Sequence, residues 1–271
     1  MTGAVFRETI RRGWRLMLGW GIGLGAIFWL QIIIVPDVAA IQQMANLMTS
    51  LPPIVMQMFG GGIDVAYMAT PEGYLSLRTF NSFILIFFAA YAVTVGMNVT
   101  ANDEDAGIQD VVMSLPVSRA RFVLEKLLAY ALMTVGVVLM ATAGTLLGVA
   151  MTPSLALDAG RVMMGMLNFF PATLLTLMFT AMIGALIRRR STAMAIAVAF
   201  VVGSYFLDTI GAAAAETVAG ALRAVSYFTY FDGSQMLQHG LNLGNILVLL
   251  VASVVFGAIS LWAYERRDIG V

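Results

Sequence analysis

The sequence predicts an all-α membrane protein. It has six transmembrane helices, an N-terminal interfacial helix, a cytoplasmic connecting helix, short helices on the outer face and both termini in the cytoplasm. Three observations lead there. Sixty per cent of the 271 residues are hydrophobic and only 11% are charged, with a mean hydropathy of +0.89, whereas soluble domains carry about one quarter charged residues. Six apolar stretches approach the roughly 20 helical residues needed to cross a hydrocarbon core of about 30 Å. The charges, which cancel over the whole chain, are ordered along it.

The predicted spans are residues 16–35, 80–99, 127–149, 162–187, 193–210 and 246–264, and none carries a charge in its middle. The first is too long for a signal-peptide core and has no small-residue cleavage site behind it, so it is read as a retained span. Amphipathic soluble helices would show a polar face that these stretches lack.

Orientation follows the basic residues. Arg7, Arg11, Arg12 and Arg15 precede the first span; Arg119, Arg121 and Lys126 follow the second; Arg188, Arg189 and Arg190 separate the fourth from the fifth; Arg266 and Arg267 close the chain. The remaining basic residues, Arg78, Arg161 and Arg223, fall on the other side with Asp37, Asp64, Glu72, Asp158, Glu216 and Asp232. Every basic cluster supports the same topology.

Between the spans, Phe6, Ile10, Trp14 and Met17 recur at helical spacing opposite Arg7, Arg11 and Arg15, the pattern of a helix lying on the cytoplasmic leaflet. Val38, Ile41, Met44, Met48 and Leu51 form a second amphipathic stripe, ended by Pro52 and Pro53. The connection 211–245 mixes a small-residue helix with Tyr227, Phe228, Tyr230 and Phe231, aromatics that favour the headgroup zone, and reads as short, partly re-entrant outer helices. The whole of 1–271 is expected to be one transmembrane domain.

The most informative segment joins the second and third spans. Asn102 is placed to cap a helix whose first turn holds Asp103, Glu104 and Asp105, where the helix dipole favours negative charge. Ile108, Val111, Val112 and Leu115 share one apolar face, Pro116 disfavours continuation through Leu115, and Ser118 can cap the helix that climbs into the third span. A short, stiff amphipathic helix at the membrane surface suits force transmission to a soluble partner.

At these residues the chain resembles the exporter-type (type-2) permeases of ATP-binding-cassette transporters. The resemblance rests on the acidic cluster Asp103 to Asp105, on Gly107, Asp110, Val111 and Val112, on Ser114-Leu-Pro116-Val117-Ser118-Arg119, and on Lys126; Ile108 stands where Thr is usual and Asp110 where Glu is usual. Looser likeness extends to the basic N-terminal helix, the stretch 70–74, the aromatic outer connection and the Arg266-Arg267-Asp268 end. The resemblance implies that Asp103, Glu104, Asp105, Gly107, Ile108, Asp110, Val111, Val112, Leu115, Pro116, Ser118 and Arg119 form a coupling helix docking on a separate ATPase subunit. It also implies a second permease copy or paralogue, ATP and Mg bound by the partner subunit alone, export of an amphipathic or hydrophobic substrate, and residence in the inner (plasma) membrane of a prokaryotic cell. No nucleic acid is expected.

Competing readings find less support. The chain has no Gly-x-x-x-x-Gly-Lys-Ser/Thr motif. An ion-coupled transporter needs ionisable groups inside its spans, and the nearest is Asp208, close to a span end; Gln31, Asn81, Asn98 and Asn168 are uncharged. A non-transporting scaffold of the same fold is the main alternative. Asn168, Pro171 and Asn81 are the candidate substrate path, although ordinary helix packing explains Asn168 and Pro171 as well. Gly19, Gly21, Gly23 and Gly25 suit a close helix contact, within the protomer or between two. With no cysteine and one histidine, His239, a metal site is not expected; the scattered methionines read as packing.

Overall fold

The computed structural model describes residues 3–34, 38–49, 67, 69–102, 118–214 and 217–266. Among them the secondary structure is helical without strands: α1 (Ala4–Ile33), α2 (Val38–Thr49), α3 (Pro71–Thr79), α4 (Ser82–Met97), α5 (Arg119–Met151), α6 (Ala159–Leu167), α7 (Phe169–Leu186), α8 (Arg190–Ala213), α9 (Val218–Leu222), α10 (Tyr227–Phe231), α11 (Gly233–His239) and α12 (Leu243–Glu265). Single 3₁₀ turns follow α5 and α9.

Five described helices, counting α6 and α7 as one, are long and apolar enough to cross a bilayer. The predicted second span is shorter: α4 has 16 residues, about 24 Å of helix. Asn81 starts it, its Oδ1 accepting from the Ile84 N–H at 3.1 Å, and turns at 98–100 end it. The interfacial helix is not a separate element, because α1 runs without a break through residues 6–17 into the first span. Its early turns lie along the 33-residue α5, whose Met133 and Tyr130 meet Gly13. The predicted fourth span is interrupted at Asn168. Pro171 accounts for the break, since its ring has no room for a helical carbonyl four residues back, at Leu167.

α7 is central, packed against α4, α12 and α8, while α1 lies chiefly on α5. The α1–α5 pair is parallel: Gly13 lies opposite Met133, Gly21 opposite Met140, and Gly25 opposite Gly144. A Cβ on Gly144 would sit 2.2 Å from the Gly25 carbonyl oxygen, so the two backbones touch, the close approach that small residues allow between membrane helices. Thus Gly21 and Gly25 make a contact inside the protomer. Gly19 and Gly23 face open space.

Among the described residues, apolar side chains fill a large core drawn from all the long helices and a smaller cluster around Met97, Ala101 and Ala193. Phe169, directly after the break, stacks on Phe88 with centroids 4.6 Å apart and packs against Phe231 at 4.7 Å and Phe28 at 5.6 Å, joining α7, α4, α10 and α1. Large apolar residues also point outward, among them Leu247, Val251 and Val254 on α12 and Leu128, Leu132 and Leu139 on α5. In water such a surface would aggregate; in a bilayer it is the solvated face.

Replacing Gly144 by Ala forces α1 and α5 apart and lowers stability by about 1–3 kcal/mol, the usual range for overpacking, whereas Gly19→Ala leaves it unchanged. Thermal unfolding of the two variants in detergent compares them directly.

Candidate functional site

The basic clusters gather at one end of the bundle, where α4 leaves the core and α5 enters it. Of the predicted coupling residues, Asp103, Glu104, Asp105, Gly107, Ile108, Asp110, Val111, Val112, Leu115 and Pro116 lie outside the described residues; Ser118 and Arg119 are described. Ser118 occupies the N-cap position of α5 in extended conformation, yet its side chain makes no capping bond; its carbonyl accepts from the Phe122 N–H at 3.0 Å. Arg119 begins the helix, half-buried. Asn102 is itself helical and turns its side chain back, Nδ2 donating to Asn98 Oδ1.

One turn of α5 ties this end together. Lys126 is buried, and its Nζ donates to the carbonyls of Asn98 at 2.6 Å and Val99 at 2.9 Å while lying 5.1 Å from the centre of the Phe122 ring. These carbonyls follow the C-terminus of α4, where orphan acceptors and the helix dipole favour a cation. The neighbouring Glu125 does the converse for α1: it accepts from the N–H groups of Gly3 and Phe6, each at 3.1 Å, at the positive end of that helix, and pairs with Arg121 at 2.9 Å. Phe122 stacks on Tyr264 near the end of α12, centroids 6.4 Å apart. Residues 121–126 therefore clamp α1, α4 and α12 at the point where the segment 103–117 rejoins the bundle.

The arm on the other side of that segment is seated as firmly. Met97 and Ala101 pack with Ala193 of α8, and Ile183, Ile187 and Met194 surround them. Gly184 of α7 leaves room for Thr100, whose Oγ1 lies 3.0 Å from where a Cβ would stand.

The opposite end is held by a buried carboxylate. Asp208 of α8 pairs with Arg223 at 2.8 Å and accepts from Ser82 and Thr229, each at 3.1 Å, which fastens α8, α4 and α10 together. The remaining oppositely placed cations are also engaged: Arg78 donates to Gln31 at 3.1 Å and to Tyr74 at 2.9 Å, and Arg161 lies 3.7 Å from Asp158. Burial pushes the Asp232 carboxyl up from its ordinary value, against the pull of Arg223 and His239. The path candidates sit at this end, each with a structural contact: Asn81 caps α4, Asn168 donates its Nδ2 to the Phe231 carbonyl at 2.6 Å, and Pro171 is buried in the first turn of α7.

Sequence reasoning passed over the role of Glu125 and Asp208. Asp208 is the one charge between Arg190 and Glu216, in an apolar helix, and that isolation was the available signal, because a charge in such a place needs partners; Glu125, beside Lys126 and one turn from Arg121, gave no such signal. Lys126 was read as a topology-setting cation and as part of the resemblance, without its carbonyl partners.

These features define a polytopic α-helical membrane protein whose basic end holds the helix arms on either side of residues 103–117. The profile of the ABC-2 family transporter proteins matches residues 12–269, and the chain belongs to that family. Such permeases are transporter components that generally pair with an ATP-binding-cassette ATPase. No curated protein matches the chain.

Lys126→Met strands two carbonyls behind α4 and costs about 2–3 kcal/mol; the change registers as a lower unfolding temperature and as faster proteolysis between residues 98 and 119.

Proposed function

We propose that this chain is the permease subunit of an ATP-driven exporter, working with a second copy or a paralogue and with two cytosolic ATPase subunits that bind the ATP and Mg. The segment 103–117 docks on the ATPase, with Asp103, Glu104, Asp105, Gly107, Ile108, Asp110, Val111, Val112, Leu115 and Pro116 meeting it and Ser118 and Arg119 leading into α5. The observation that supports this reading best is the Glu125–Lys126 turn. A push on the segment reaches α5 directly and, through the two side chains, α1 and α4 at once. Rigid-body rocking is the kind of motion such a clamp passes on.

In this reading α4 is the sixth crossing, and both termini and all basic clusters lie in the cytoplasm of a prokaryotic cell, with the protein in its inner membrane. Asn168 and Pro171 serve the substrate path as a hinge, the helix break letting α7 and the outer cap separate, and Asn81 steadies the start of α4 beside them. The spans hold no charge at mid-depth, which favours an amphipathic or hydrophobic cargo.

Gly107→Pro, or charge reversal at Asp103, Glu104 and Asp105, is expected to abolish ATP-dependent substrate movement in vesicles while ATP hydrolysis persists and the unfolding temperature stays unchanged. Transport at the parental rate would overturn the docking role, and a parental protein that moves no substrate would make it a scaffold. Because the chain lacks cysteine, topology is tested separately. In intact cells an impermeant thiol reagent should label Ser154→Cys and spare Glu265→Cys.

A further inference from the structure

α1 lies chiefly on α5, and on its other side it meets α4 through side-chain rings. Trp20 sets its edge on Tyr91 with centroids 6.1 Å apart, and Phe28 lies 6.0 Å from Phe88. Rings of that size hold the two backbones apart. A groove of about 380 Å³ results, whose lining includes Arg15, Gly19, Trp20, Gly23, Ile27 and Phe87. A Cβ on Gly19 or Gly23 would meet nothing within 4 Å, so α1 gives the groove two stretches of bare backbone. Arg15 is the one charged residue in the lining. Its guanidinium lies 5.5 Å from the centre of the Trp14 ring, and among the described residues it makes no hydrogen bond or ion pair. Contact with a ring face leaves the in-plane N–H donors to an anion.

From Arg15 to Ile27 the helix rises about 18 Å, against about 15 Å for one half of a hydrocarbon core. The groove therefore has the length of a single leaflet, with its cation at the headgroup end. We infer that it holds an acyl chain of an anionic phospholipid, whose phosphate meets the Arg15 guanidinium. A groove that faces hydrocarbon is filled by lipid or by another helix, and charge chooses between them. A second copy packed here about a two-fold axis along the membrane normal would bring Arg15 to the depth of its own counterpart, a like-charge contact. Arg11 and Arg12, which share the Glu8 carboxylate at 2.8 and 2.6 Å, would add to it. The same cluster attracts an anionic headgroup. On the other side of α1, a groove of about 360 Å³ touched by Ile22, Ala26, Ala143 and Leu147 has no charged residue in its lining, so it offers a chain no choice of headgroup. The inference needs α1 to cross the bilayer, as its length and composition allow, and is independent of the export reading.

Native mass spectrometry of the purified chain, equilibrated with equal amounts of phosphatidylglycerol and phosphatidylcholine, tests the site. The parental chain should retain phosphatidylglycerol with a preference of about five-fold, which Arg15→Gln removes. Gly23→Leu, whose side chain enters the open groove, should lose the bound lipid of either kind. Gly19→Leu should do the same from the neighbouring turn, and it guards against a folding defect in the first variant. Two controls should retain phosphatidylglycerol like the parent: Ala143→Leu, which fills the uncharged groove, and Arg7→Gln, which removes an exposed charge about two turns before Arg15. Parental retention by Gly23→Leu and Gly19→Leu would overturn the inference, as would an equal loss in either control, which would mean generic surface binding. A two-chain parental species that Gly23→Leu splits into single chains, with no lipid on either, would also overturn it and give the groove to a second copy.

Discussion

An ammonium group cannot remain buried without acceptors, and in this protein the two acceptors of Lys126 are carbonyls left over at the end of another helix. That constraint sets the arrangement of the basic end. Because Lys126 must reach Asn98 and Val99, the base of α5 stands against the exit of α4. Glu125, one position earlier, meets the free amides of α1. Two adjacent residues of opposite charge complete a helix end of each sign, and electrostatics and unmet hydrogen bonds pull the same way.

Above this clamp, the helices are positioned by shape. Gly25 and Gly144 bring α1 and α5 into backbone contact, so the pair behaves as one thick element whose lower end carries the clamp. α7 is the most enclosed of the described spans, and its break at Asn168 places Phe169 among Phe28, Phe88 and Phe231. Asp208 closes the far end by gathering α4, α8 and the cap. Polar connections thus concentrate at the two ends and apolar packing fills the middle.

Much of this was legible in the chain. The helices α5, α7, α8 and α12 cover the predicted spans to within several residues, because a run of apolar residues long enough to cross a bilayer leaves the backbone few alternatives to helix. Membership of the family was legible at 102–119 and Lys126, where spacing and residue type combine. The interfacial arm is not a separate element because α1 continues through it: Met17 of its stripe meets Gly136 of α5, while Trp14 stays exposed. The helix break at Asn168 and Pro171 was legible from the proline, whereas the partners of Asn81 and Asn168, a cap and a carbonyl across the fold, were not.

The sequence by itself determined the solvent, the helical class and the order of charge along the chain, since these depend on composition and on interactions between residues a few positions apart. Tertiary structure alone decided which partners the isolated charges found. Lys126 meets carbonyls 27 and 28 residues away, Glu125 meets amides 119 and 122 residues away, and Asp208 meets a serine 126 residues away. A buried charge states in the sequence that it needs a partner. Which partner it takes is a matter of where other helices leave their backbone groups unpaired, and that is known only once the helices are packed.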